Sequence, residues 1–196
     1  MSAFLRALEI ILNTMNEKIA KEISKLLSLV LRHSPETIQI KLDENGWTDV
    51  DKLITQCNKS HKNINLGTLE YVVENNDKKR FSFNNDKTKI RANQGHSIQV
   101  ELNLKEVKPL EYLYHGTVAK FLPNIKSEGI QKMSRQHVHL SADKETATKV
   151  GGRRGVPIIL TVRSGDMYED GYEFYLSDNN VWLTDAVPVN YIEFQS

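Results

Sequence analysis

The sequence predicts an α+β protein built as two lobes. Three observations lead there. A long amphipathic helical stripe opens the chain, a short basic β-hairpin falls between residues 80 and 92, and after residue 96 the texture changes to a series of short strands with few helices. The 196 residues allow two lobes of roughly 100 residues each, and the texture change sets them at 1–96 and 97–196.

The opening helix is read from Phe4, Leu8, Ile11, Leu12, Met15, Ile19, Ile23, Leu26, Leu27 and Val30, which recur at three- and four-residue steps. Ser34-Pro35 stops it, because proline disfavours helix in the residue before it, so Arg32 and His33 sit at its C-terminal edge. Asn45-Gly46 signals a turn before Trp47, and Val50–Ile54 and Leu66–Val73 read as short helices around a polar loop at Asn58–Asn65. Arg80–Phe83 alternates as a strand, Asn84-Asn85-Asp86 turns, and Thr88–Ala92 returns. Helices followed by such a hairpin describe a winged-helix arrangement. Beyond residue 96, strands are expected at Ile98–Leu102, Tyr112–Tyr114, His137–Leu140, Pro157–Val162, Tyr172–Leu176, Val181–Thr184 and Tyr191–Phe194. Helices are expected at Val118–Ser127, closed by Gly129, and at Ala142–Val150, capped by Ser141 or Asp143.

Composition excludes several classes. Charged residues at 26% and aromatics at 8% are globular values, and a lone Cys57 excludes an intramolecular disulfide framework and a cysteine-rich zinc site. No apolar run approaches the ~20 residues needed to cross a bilayer, so no membrane association and a cytoplasmic location are expected. No long apolar seam marks an oligomer interface, and a monomer is expected. The net charge is +1, but it is unevenly placed: 15 basic and 12 acidic residues in 1–96, against 11 and 13 in 97–196. Within 78–91, Lys78, Lys79, Arg80, Lys87, Lys89 and Arg91 are opposed only by Asp86, a local patch suited to phosphates.

Neither G-x-x-x-x-G-K-S/T nor G-x-G-x-x-G occurs, which argues against a P-loop or Rossmann site. Gly151-Gly152-Arg153-Arg154-Gly155 reads either as a backbone that comes close to a phosphate or as a helix end with a solvated basic turn. His137 and His139 share a strand face but lack further ligands, so no metal is expected. No serine elbow, activated cysteine or paired carboxylates stand out. What accumulates is Arg32-His33, Arg80, Arg91, His96, His115 and Arg153-Arg154. Such a set suits an enzyme or binder acting on a polyphosphate or nucleic acid.

Leu29-Val30-Leu31-Arg32-His33, Gly46-Trp47, Lys79-Arg80-Phe81, Ile90–Ser97 (IRANQGHS), Tyr114-His115-Gly116-Thr117, His137–Ser141 (HVHLS), Val150–Gly155 and Val181–Asp185 occur in this order. Together they resemble the RNA 2′-phosphotransferases of the Tpt1/KptA type, from about Ile19 to Phe194. Residues 1–15 extend before the resemblance, with Met15 as an alternative start.

The resemblance implies a winged-helix RNA lobe followed by an ADP-ribosyltransferase-like, NAD-binding lobe. It implies NAD-dependent removal of an internal 2′-phosphate from RNA, a tRNA splicing product being one such substrate. It carries over a catalytic quartet of Arg32, His33, Arg80 and Arg153. His115, Gly116 and Thr117 are similar to the segment on the nicotinamide side of NAD, and His139, Leu140 and Ser141 to that near its adenosine side. Arg91, Gln94 and His96 are expected either to contact substrate or to pin the lobes together. Val181-Trp182-Leu183 fills the place where protein-modifying relatives carry a catalytic glutamate. Two rival readings are an ADP-ribosyltransferase that caps RNA or DNA ends and a non-catalytic nucleic-acid-binding module.

Overall fold

The computed structural model describes residues 3–60, 63–76 and 78–194, with the side chains of 3–16 excepted. The chain is α+β and divides into two compact units, Met1–Leu102 and Asn103–Ser196.

The first unit begins with helix α1, Ala3–Arg32. Ala20, Ile23, Leu27, Val30 and Leu31 carry its core-facing stripe. Ile19, expected on that stripe, is 44% exposed because it lies one residue, about 100° of helical turn, from Ala20. Phe4, Leu8, Ile11, Leu12 and Met15 lie outside the residues whose side chains are described. The helix stops where expected: the His33 and Ser34 amides both donate to the Leu29 carbonyl, and Pro35 starts a separate 3-10 turn through Ile38.

At Asn45-Gly46 the chain turns, with Gly46 at φ 79° and the Asp43 carboxylate accepting the Asn45 and Trp47 amides. Strand β1 (Thr48–Asp49) leads directly into helix α2 (Val50–Lys59), capped by Asp49, whose Oδ1 accepts the Lys52 amide at 2.8 Å. Helix α3 (Leu66–Glu74) is capped in the same way by Asn65. The hairpin is β2 (Phe81–Phe83) and β3 (Lys89–Ala92), and β1 adds to it to give an antiparallel sheet of order β1-β3-β2. Leu27, Leu31, Leu53, Leu69, Phe81 and Ile90 meet in the core.

The expected strand at Ile98–Leu102 is not one. Its alternation is expressed as burial of Val100 and Leu102, but no strand pairs with it. Its backbone is fixed instead by single bonds to the Asn45 turn, from the Glu101 amide to the Glu44 carbonyl and from Asn45 Nδ2 to the Glu101 carbonyl. The first unit therefore runs past residue 96 to Leu102.

In the second unit, β4 (Leu113–Val118), β7 (Pro157–Val162) and β11 (Ile192–Glu193) form one antiparallel sheet with β7 central. A second holds β6 (Val138–Leu140), β9 (Trp182–Thr184) and β8 (Tyr175–Leu176), and β5 (Ile130–Gln131) pairs with β10 (Ala186–Val187). Helix α4 (Leu122–Glu128) ends at Gly129, φ 78°, as expected. Helix α5 (Lys144–Gly151) takes Asp143 as its cap. Helix α6 (Ser164–Glu169) was not expected, because it is only six residues long and contains Gly165, a poor helix former. Packing makes it: Met167 is fully buried and Ser164 Oγ donates to the Leu110 carbonyl. No described helix is long and apolar enough to cross a membrane.

Candidate functional site

Arg32, His33 and Arg80 come together in the first unit, although 48 positions separate the two arginines. The end of α1 delivers Arg32 and His33, and the turn before β2 delivers Arg80. Arg32 Nη2 donates to the Arg80 carbonyl at 3.3 Å, and its guanidinium stands 5.7 Å from the Phe81 ring centre. The same Arg80 carbonyl accepts the Asn93 amide at 2.9 Å, and Asn93 Nδ2 donates to the Lys79 carbonyl at 2.7 Å. Ser97 touches both members of the Arg32-His33 pair. Its amide donates to the Arg32 carbonyl and its Oγ lies 2.9 Å from His33 Nδ1. A ring held through Nδ1 presents Nε2 on its other side.

The three motif residues with two open readings separate here. Arg91 stacks its guanidinium 4.6 Å from the Trp47 ring centre. Gln94 is half-buried. His96 is fully buried and lies against Gly46. Burial first, then Arg32, His33 and Arg91, push its pKa down to about 4. The basic patch is also less bare than it reads. Lys87 Nζ pairs with Glu70 at 2.6 Å and Lys89 Nζ with Asp43 at 3.2 Å.

In the second unit, β4 and β6 are joined by reciprocal backbone bonds between Tyr114 and Ser141. That junction sets His115 beside His139: His115 Nδ1 lies 3.3 Å from the His139 carbonyl. A carbonyl only accepts, so Nδ1 carries the proton and Nε2 is an acceptor. Burial lowers the His115 pKa against the raising effect of that bond, with Arg135 lowering it further, so the ring is neutral at physiological pH. Arg135 is a residue the sequence reading missed. Its Nη1 lies 3.5 Å from His139 Nδ1, and desolvation together with Arg154 lowers its own pKa. A guanidinium four residues before a strand histidine carries no motif by itself; the signal was its repeat of the Arg/His pattern seen elsewhere.

The remaining candidates fall into structural and exposed positions. Leu140 and Trp182 pair across β6 and β9 and lie in the core, and Thr117 is buried. Gly116 is needed for packing: a Cβ there would stand 1.9 Å from the Ala147 carbonyl oxygen of α5. That close approach seats α5 on β4 and so places the Gly152–Arg154 turn that follows it. Arg153 is exposed on this turn, and Arg154 stands 5.7 Å from the Phe121 ring centre. Each unit thus offers a cluster of guanidinium and imidazole groups with no carboxylate among the contacts described. Guanidinium groups in such clusters suit the holding of phosphate and of developing negative charge.

Several known proteins are similar to this chain over most of its length. A protein from Flavobacterium johnsoniae is 72% identical over 182 residues, covering 93% of this chain and 100% of its own. One from Fusobacterium nucleatum is 56% identical over 174 residues, 88% and 97% of the two chains, and one from Rhodopirellula baltica 54% over 172 residues, 87% and 94%. All three carry the name "Probable RNA 2'-phosphotransferase". The profile of the family described as "RNA 2'-phosphotransferase, Tpt1 / KptA family" matches residues 18–186, and this chain belongs to that family of transferases.

Proposed function

We propose that the chain removes an internal 2′-phosphate from RNA by a two-step transfer to NAD⁺, its co-substrate. The first unit serves as a winged-helix RNA lobe and the second as an ADP-ribosyltransferase-like NAD lobe. Three helices with an antiparallel sheet of order β1-β3-β2 support the former; the paired His115 and His139 with Arg135 and Arg154 nearby fit the anionic dinucleotide.

In the first step an oxygen of the RNA 2′-phosphate attacks the ribose carbon that bears nicotinamide, and nicotinamide leaves with the bonding pair. In the second, the ribose 2″-hydroxyl loses its proton and attacks phosphorus. The bond from phosphorus to the RNA 2′-oxygen breaks, and that oxygen takes a proton. The products are RNA with a 2′-hydroxyl and ADP-ribose 1″,2″-cyclic phosphate. Arg32 and Arg80 hold the phosphate, with guanidinium forks matched to its oxygens, and the family resemblance gives Arg153 a phosphate-holding role as well. They also offset charge on the phosphoryl group during displacement. His33, held by Ser97, orients the phosphate or a sugar hydroxyl. His115 offers Nε2 as an acceptor to the nicotinamide side.

The observation that carries this reading is the meeting of Arg32, His33 and Arg80 around one backbone carbonyl and one serine. The test is to incubate RNA bearing an internal 2′-phosphate with and without NAD⁺ and follow RNA and nicotinamide. Dephosphorylated RNA with equimolar nicotinamide, only when NAD⁺ is added, is expected. A stable ADP-ribosylated RNA would mean an enzyme that stops after the first transfer, and RNA binding without turnover would remove the catalytic reading altogether.

A further inference from the structure

The turn between α3 and β2 contains a buried amide whose every polar atom is used. Asn76 Oδ1 accepts from Arg80 Nη1 at 3.1 Å and from the Lys78 amide at 3.2 Å. Its Nδ2 donates to Ser24 Oγ at 3.1 Å, and its own carbonyl accepts the Lys79 amide at 2.8 Å. The residue is only 9% exposed. Ser24 lies on α1, about two turns before Arg32. One helix therefore carries Arg32 directly and fixes the Arg80 side chain through a single intermediary. The backbone between them is held in a costly shape: Lys79 sits at φ 38°, which the Asn76 and Asn93 bonds on either side of it maintain.

We infer that Asn76 is a positioning residue for the reaction, clamping the Arg80 guanidinium between α1 and β2 in the orientation that meets the 2′-phosphate; this rests on the phosphate-holding role given to Arg80 above. The choice of an amide has a chemical reason. A neutral oxygen orients a guanidinium through one N–H and leaves its charge intact for phosphate. A carboxylate of the same shape would form an ion pair and compete with the substrate. An alanine would leave both Arg80 and Ser24 without this partner and let a long side chain sample other rotamers.

The experiment is steady-state kinetics on RNA with an internal 2′-phosphate, using N76A, N76D, R80A and the double variant N76A/R80A. N76A is expected to lower kcat about 10- to 100-fold, with KM for NAD⁺ unchanged, as for lost support of a placed catalytic group. The double variant is expected to be no slower than R80A, because both changes remove the same contribution. A merely structural Asn76 would instead multiply the two losses, and that result overturns the inference. So does N76A with wild-type kcat beside an impaired R80A. Should N76A not fold, N76D decides: a raised KM for the RNA is expected, and wild-type KM and kcat would overturn the inference. Wild-type activity in R80A would overturn the role given to Arg80 itself, and the positioning role with it.

Discussion

Neither ring nitrogen of His96 meets a hydrogen-bond partner among the described residues, and the ring is wholly buried near Arg32, His33 and Arg91. Desolvation and those charges hold it neutral, with a pKa of about 4 against 6.5. Between those values the unfolded chain binds a proton that the folded chain refuses. His96 therefore lends stability fully above pH 6.5 and withdraws it as pH falls toward about 4, on the order of 3 kcal/mol in all. His96→Phe, which forfeits no hydrogen bond, is expected to flatten this dependence: urea midpoints at pH 7 and pH 4.5 should converge relative to wild type. A second expectation concerns Arg80. If it serves mainly the displacement at phosphorus, Arg80→Ala should let ADP-ribosylated RNA accumulate, visible as a slower band on a denaturing gel with nicotinamide still released. Arg32, His33 and Arg80 were legible because they sit in short, distinctive strings. Asn93 and Ser97 lie in such a string too, but their bonds to Lys79 and His33, 14 and 64 positions away, were not legible in it, and Asn76 stands in no motif at all.

Helix α5 shows how an element can be placed by what a residue lacks. A methyl group at Gly116 would collide with the Ala147 carbonyl, whereas Gly152, at φ −58°, has nothing within 4 Å of a built Cβ. Gly116→Ala is thus expected to cost about 1–3 kcal/mol as α5 is pushed off β4, and Gly152→Ala to be neutral or slightly stabilising. Thermal unfolding of the two variants side by side checks this. The cap of α5 and the stop at Ser34-Pro35 were readable because each is settled by groups within a few residues. The segment 98–102 misled because alternation reports which side chains turn inward and not whether a neighbouring strand exists. Helix α6 was hidden for the converse reason: it is held by the burial of Met167 and by the Ser164 bond to Leu110, contacts that local propensity does not report.

Over the whole molecule the near-zero charge has a measurable meaning. The hairpin lysines that stand out in the sequence are answered by Glu70 and Asp43, 17 and 46 positions distant. RNA affinity should then depend on a few placed arginines and vary weakly with salt. A plot of log affinity against log salt is expected to have a slope of about −2 to −3, as for three or four phosphates neutralised on a single strand. A slope several times steeper would point to an extended basic track instead. Ser97 carries the remaining consequence. The chain leaves the first unit only after Leu102, so the last stretch before the crossing is also what braces Arg32 and His33. For anyone splicing a sensor or tag between the two units, the joint is asymmetric. A flexible insert after Leu102 leaves the Ser97 contacts with Arg32 and His33 intact, while the same insert between His96 and Ser97 is expected to abolish turnover even if both units remain folded. The last residues of the first unit are in that sense part of what holds Arg32 and His33 in place, and an insertion that spares this bracing has to lie beyond them.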